Sequence, residues 1–145
     1  MRLYTFINFY LSQIQQGIQT AHIVHELFNG YSLNEPPGQM LWDWSHNHKT
    51  IYVMNAGADP EIGELMQVFY RYVNEFPFAS FREDSGLCEA RTGCGIVLPE
   101  RIYDVDAKTD SIGQRIWYHG PLDHFYRPGE HYYDLIDLIK SKRLA

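Results

Sequence analysis

Leu3-Tyr4-Thr5-Phe6-Ile7-Asn8-Phe9-Tyr10 is β-branched or aromatic at almost every position and holds neither Gly nor Pro. It therefore reads as a strand, and a central one. A helix follows almost at once. Ser12 is its N-cap, Ile14, Ile18, Ala21, His25 and Phe28 recur at helical spacing, and Asn29-Gly30 supplies the stop. This strand-to-helix alternation repeats along the chain and constrains the fold more than any other feature. Ser32 to Gly38 is a turn-rich link with Pro36-Pro37, after which Met40, Leu41 and Trp44 space as a short amphipathic helix. Lys49 to Asn55 is the second strand, closed by Gly57. Asp59 as a cap, Pro60 at the first helical position and Glu61 in an acidic first turn then open a helix. Its apolar stripe is Ile62, Leu65, Met66, Phe69, Tyr72 and Val73. Phe78 to Phe81 and Gly93 to Leu98 are the third and fourth strands, the last ended by Pro99. Such an order favours crossover connections and a mixed sheet covered by helices rather than a sandwich.

Beyond Pro99 the character changes. Asp104 to Ser111 is polar without apolar periodicity and reads as a mobile loop, and Ile116-Trp117-Tyr118 as a short extra strand. His131 to Arg143 reads as a closing helix that buries Tyr132, Leu135, Ile136 and Ile139. Lys140, Lys142 and Arg143 sit at its C-terminal end, where the helix dipole favours them.

A chain of 145 residues, 45% hydrophobic and 15% aromatic, has enough apolar surface for one core without disulfides or structural metal. No apolar run is long enough to span a bilayer and the start lacks a signal-peptide pattern, so a soluble, cytoplasmic protein with no membrane partner is expected. Twelve Lys and Arg stand against 18 Asp and Glu, a formal charge of -6, and Arg2 is the only one of those cations before Lys49. Counterion release from a long duplex needs a broad basic face, which this composition excludes, whereas a small phosphorylated ligand needs only one or two Arg. Cys88 and Cys94 fit neither a zinc pair nor a disulfide framework.

The segment Gln15 to Glu26 concentrates polar chemistry. Passage from a strand through Gly17 into a helix leaves backbone N–H groups at the helix start, where an anion can be held. Gln19 and Thr20 lie near that mouth, and His22 and His25 share a face one turn apart. The plain structural reading is one core-packed His and one exposed. A two-His metal site lacks both the HExxH spacing and a third ligand, so neither metal nor cofactor is implied.

Gly17, Ala21 and His25 fall on the pattern Gly-Lys-x-Ala-Ala-Gln-x-x-His-Ala, and the segment resembles the first helix of the type 2 peptidyl-tRNA hydrolase (PTH2) family. Pro77 to Asp84 and Thr92 to Pro99 are similar to that family's third and fourth strands, and the resemblance covers roughly residues 1 to 100. It implies a three-layer α/β fold, with a four-stranded mixed sheet, helices on both faces and a C-terminal helix. It also implies one domain over residues 1–145, in which residues 100–145 are an extension packed on the rest. The implied ligand is a nucleotide or an RNA 3′ end, and the implied reaction is ester hydrolysis.

Two positions depart from the pattern. The family's Lys is Ile18 here and its Gln is His22. An aliphatic side chain can neither hold a phosphate nor polarise an ester carbonyl. The residues able to rebuild a site are His22 as a general base and Thr92 or Ser85 as a hydroxyl. Arg82 and Arg91, flanking the Glu83 to Ala90 turn, could clamp a phosphate or be solvated hairpin charges. Asn8 could read an amide or base edge, or cap a ladder. Asp104, Asp106 and Asp110 lack the Gly and terminal Glu of a calcium loop.

Trp42, Trp44, Trp117, Tyr118, Phe125 and Tyr126 lie outside the main helical stripes, where they suit base stacking or a homodimer interface. Three readings follow. The first is a PTH2-like domain binding a nucleotide or RNA end, with or without hydrolysis. The second is a non-catalytic viral or mobile-element protein that sequesters a cyclic or ADP-ribose-type nucleotide. The third is an aromatic-rich interaction subunit.

Overall fold

Strand β1 (Arg2–Asn8) is central, as its composition requires. The sheet order is β2-β1-β4-β3, with β2 at Thr50–Gly57, β3 at Phe78–Arg82 and β4 at Arg91–Leu98. The computed structural model describes residues 1–84, 89–99, 108–109, 115–116 and 132–145. β1 runs parallel to β2 and antiparallel to β4, and β3 is antiparallel to β4. Three strands thus point one way and β4 the other, which makes the sheet mixed.

Alternation along the strands feeds two apolar layers. Leu3, Ile7 and Val97 face helix α1 (Gln13–Gly30) through Ile23 and Leu27, with Leu41 of α2 (Pro36–Asp43) and Trp44 closing the layer. Tyr4, Phe6, Cys94, Ile96 and Leu98 face the other way, onto Ile62, Leu65 and Phe69 of α3 (Asp59–Tyr70) and Leu135, Ile136 and Ile139 of α4 (Tyr133–Ser141). The fold is therefore α/β, a four-stranded mixed sheet between helices, with a C-terminal helix on the α3 side. Tyr72 Oη donates to the Asp134 carboxylate, Arg71 Nη2 lies 2.6 Å from its second oxygen, and Tyr132 Oη donates to Glu75. Beyond α4 the chain hydrogen-bonds along the outer edge of β2, Asn55 N to Arg143 O and Ala145 N to Val53 O, both at 2.9 Å, and so covers part of an edge.

Local chemistry explains most boundaries and corrects several expectations. Ser12 and Gln15 form a reciprocal capping box that starts α1. Pro36 and Pro37 open α2 from its first turn instead of lying in a link, because neither needs an N–H there. α2 runs into a π-helical turn at Trp44–His48. Ala58, not Asp59, is the N-cap of α3. Its N–H donates to Glu61 Oε2 at 3.0 Å, and Asp59 is taken by a tertiary partner. Gly57 precedes that cap with φ 92, a left-handed conformation that suits Gly. Arg115–Ile116 pairs with Lys108–Thr109, which lies inside the stretch expected as a loop. Ser85, Cys88, Asp104, Asp106, Asp110, Trp117, Tyr118, Phe125 and Tyr126 lie outside the described residues.

The orientation of α1 differs most from its sequence pattern. Gln19, Thr20, Ile23 and Leu27 face the sheet, while Ile14 and Ile18 are 79% and 50% exposed. Close approach selects this face. A Cβ on Gly95 would lie 2.7 Å from Ile23 Cγ2, and one on Gly93 would lie 3.0 Å from Ile23 Cδ1 and 2.8 Å from Ile7 Cδ1. Two glycines on the α1 side of β4 let Ile23 settle against the strand backbone. Gly95→Ala should therefore overpack the layer and cost about 1–3 kcal/mol in urea unfolding. A neutral result would show that α1 is not seated on Gly95.

Candidate functional site

The carboxyl ends of β1, β2 and β3, the amino end of β4 and the starts of α1 and α3 lie at one end of the sheet. β1 leads to α1 on one face and β2 leads to α3 on the other. In open α/β sheets ligands bind at such a reversal, which here falls between β1 and β2. Asn8 lies at that reversal, and Arg82, Arg91, Thr92 and Gln19 lie at the same end of the sheet on the β4 and β3 side, whereas Thr20 sits deeper, against Thr5 in the middle of β1.

A bulge in β4 arranges it. Phe81 pairs with Gly93 and Arg82 with Arg91, so Thr92 is an extra residue in the ladder. Without the bulge, alternation would aim Thr92 at α3 and Arg91 at α1. With it both are reversed. Thr92 Oγ1 donates to Gln19 Oε1 of α1 at 2.9 Å, and Gln19 Nε2 donates to Glu83 Oε1 at 2.6 Å. Thr20 joins Thr5 through their hydroxyls at 3.3 Å. Thr5, Gln19, Thr20 and Thr92 are buried, so their partners are needed to offset lost hydration.

On the other face Arg91 meets Asp59. Nε and Nη2 lie 3.0 and 2.9 Å from the two carboxylate oxygens, and Arg91 N donates to Asp59 Oδ1 at 2.9 Å. These hydrogen bonds to Arg91 hold the Asp59 carboxyl below its usual range, with the charge of Arg82 adding to the effect. The Arg91 guanidinium is correspondingly raised, first by its hydrogen bond to Asp59. Arg82 is exposed at the rim, paired with Arg91 through the ladder, and its charge acts on Asp59 without a side-chain hydrogen bond to it. The expected two-Arg clamp is thus divided, with one fork occupied by a carboxylate and the other presented to solvent.

The remaining candidates are placed differently from their sequence reading. Gly17 is the fifth residue of α1, one turn past the mouth, and a Cβ there would meet nothing within 4 Å. Asn8 Oδ1 accepts from Tyr10 N at 3.0 Å, closing a turn after β1. His22 is exposed and stacks on Phe81 with ring centroids 4.3 Å apart and planes 5° from parallel. His25 is also exposed and shares a 2.9 Å hydrogen bond with Asn29. Neither His is packed in the core, which corrects the plain reading of the pair. Among the described residues no group of three or more His, Cys, Asp or Glu is placed to hold a metal. Burial pushes the Cys94 thiol up, so it is not a ready thiolate.

Sequence reasoning missed Glu83 and Asp59 as members of this rim, and Thr5 as the partner of Thr20 deeper in β1. Thr5, a hydroxyl inside a buried apolar strand, was the one visible signal. No protein-family model matches the chain, and no curated protein matches it. No helix among the described residues is long and apolar enough to cross a membrane.

Two variants test the electrostatics and the buried chain. Thr92→Val removes the donor to Gln19 and should cost about 1–3 kcal/mol, and Thr92→Val with Gln19→Met should cost less than the sum of the single changes. Additive losses would show that the two side chains are not coupled. Asp59 has a depressed folded pKa, so its contribution is present above its ordinary value of 3.8 and is lost as pH falls through the lower folded value. With the Asp59 side chain 41% exposed, solvent screening should hold the cost of Asp59→Asn at neutral pH to about 1 kcal/mol or less. Unfolding midpoints of the two proteins should converge below pH 3.8; a difference that persists there would remove the ion pair as its cause.

Proposed function

We propose that the chain is a PTH2-like binding protein for a nucleotide or an RNA 3′-end type ligand, held beside α1 at the end of β3 and the start of β4 without being hydrolysed. The bulge at Thr92 carries this reading. It spends two polar residues on fixing α1 and α3 to the rim and leaves Arg82 exposed beside them. Arg82, on the α3 side of edge strand β3, offers a planar fork for a phosphate, and the His22–Phe81 stack, on the α1 side of the same strand, offers an aromatic surface for a base, so the ligand would lie across that edge. Hydrolysis has little support from the same residues. The Thr92 hydroxyl is buried and donates to Gln19, and the position of the family's Lys is the half-exposed Ile18. Binding without turnover also suits the sequestration of a cyclic or ADP-ribose-type nucleotide.

Calorimetry or amide-shift titration with AMP, ADP-ribose, a cyclic dinucleotide and a CCA trinucleotide should find saturable binding by at least one of them. Arg82→Ala should weaken it roughly tenfold or more, the scale of a charge-assisted hydrogen bond. Its salt dependence should be shallow, with a log–log slope of about -1 to -2 for one or two phosphate contacts. Release of amino acid from N-acetylaminoacyl-tRNA should stay at the buffer rate. A turnover above buffer that is lost in His22→Ala would replace this reading with the hydrolase, and no saturable ligand would remove both.

A further inference from the structure

Glu83 follows β3 on the face that meets α1. Its backbone N–H donates to Ala90 O at 3.0 Å, so the pairing with the β4 side continues to this residue. Alternation then places its side chain with those of Ala79 and Phe81, and opposite that of Arg82. The stack of His22 on Phe81 forms one rung between α1 and this strand. Gln19, three residues nearer the start of α1, forms a second by donating Nε2 to Glu83 Oε1 at 2.6 Å. The buried Thr92 hydroxyl donates to the other end of the same amide at 2.9 Å. A carboxylate only accepts, so Glu83 takes the NH2 end of Gln19, Thr92 takes the carbonyl, and the three groups fix one another.

Holding α1 does not require a charge at this position. A neutral amide would accept from Gln19 as well, whereas a half-buried carboxylate gives up hydration. A carboxylate offers about four lone-pair sites. Gln19 occupies one of them, on Oε1, and no described residue donates to Oε2.

We infer that Glu83 reads the ribose of the ligand, and that the ligand is a ribonucleotide end with free 2′- and 3′-hydroxyls. This rests on the nucleotide-binding function proposed above and narrows the ligand class. Spacing supports it. Phe81 and Glu83 lie two residues apart on one face of an extended chain, about 6.5 Å, which matches the reach from the middle of a nucleobase to the hydroxyls of its own sugar. A base on the outer face of the exposed His22 ring sets its ribose beside the Gln19–Glu83 rung. The cis-diol brings two O–H donors, and a charged acceptor gains more from them than a neutral one. The 5′-phosphate leaves the other side of the sugar and passes around the edge of β3 to Arg82, so the strand separates it from the carboxylate. AMP, ADP-ribose and an unacylated RNA 3′ end all carry such a diol. A 3′,5′-cyclic nucleotide has one hydroxyl left and brings its phosphate toward Glu83, and an acylated RNA end has also lost one donor.

Calorimetry with AMP, 2′-deoxy-AMP, 3′-deoxy-AMP and 3′,5′-cyclic AMP separates these cases. AMP should bind roughly tenfold or more tightly than each of the others, the scale of a hydrogen bond to a charged acceptor. Glu83→Gln keeps an acceptor for Gln19 and should keep the thermal melt, yet AMP and 2′-deoxy-AMP should then differ by only about threefold. A Glu83 that merely braces α1 would instead lower all four affinities together and leave their ratios unchanged. Equal binding of AMP and 2′-deoxy-AMP by the unsubstituted chain, a preference for the cyclic nucleotide, or ratios unchanged in Glu83→Gln would overturn the role of Glu83 while leaving the rim a nucleotide site. If that variant does not fold, the ratios on the unsubstituted chain decide alone. Failure of all four to bind, together with the ligands named above, would remove the nucleotide site itself and the ribose reading with it.

Discussion

The seating of Ile23 over Gly93 and Gly95 is the contact on which the rest of the arrangement depends. It fixes which face of α1 meets the sheet, and with that the positions of Gln19, Thr20 and Leu27. Had β4 carried larger residues at these two positions, the helix would have had to stand off or rotate. As it is, two polar side chains enter the layer and an equally apolar stripe is turned outward. An apolar outer stripe on a helix this poor in charge is unusual for a surface exposed to water.

The bulge at Thr92 depends on the same contact. A residue of β4 that reached α3 would have no use for the buried amide of Gln19, and Gln19 would then be unsatisfied. Leaving such a group without a partner costs about 1–3 kcal/mol, whereas a partly exposed ion pair contributes about 0.2–1 kcal/mol. Of the two interactions the bulge creates, Thr92 with Gln19 is thus the one that holds the rim in place, and Arg91 with Asp59 the weaker brace on the far face. The division also explains why Arg82, rather than Arg91, is the guanidinium presented to solvent.

Much of the fold was legible along the chain. β1, the cap at Ser12, the acidic first turn of α3 and the buried face of α4 follow from side-chain stiffness, local hydrogen bonding and periodicity, all of which act within a few residues. The candidate site was legible as a set of residues, but not as a set of contacts. Arg82 and Arg91 are paired positions in one hairpin, and nothing in their neighbours tells which will find Asp59. Thr92 reads as an ordinary strand residue until the ladder gains one residue against β3. The strand-to-helix passage reads as if Gly17 marked the helix mouth, and the capping box of Ser12 with Gln15 places that mouth one turn earlier.

The sequence by itself determined the element order, the central place of β1, the excess of acidic over basic residues and the stripe Ile14-Ile18-Ala21-His25-Phe28. These are properties of composition and of spacing within single elements. Only the tertiary structure decided that this stripe faces outward, that Thr92 and Arg91 serve opposite faces, and that His22 rests on Phe81. Each of those outcomes depends on contacts between segments far apart in the chain, where the fit of Ile23 against two glycines outweighs the periodicity of the helix that carries it.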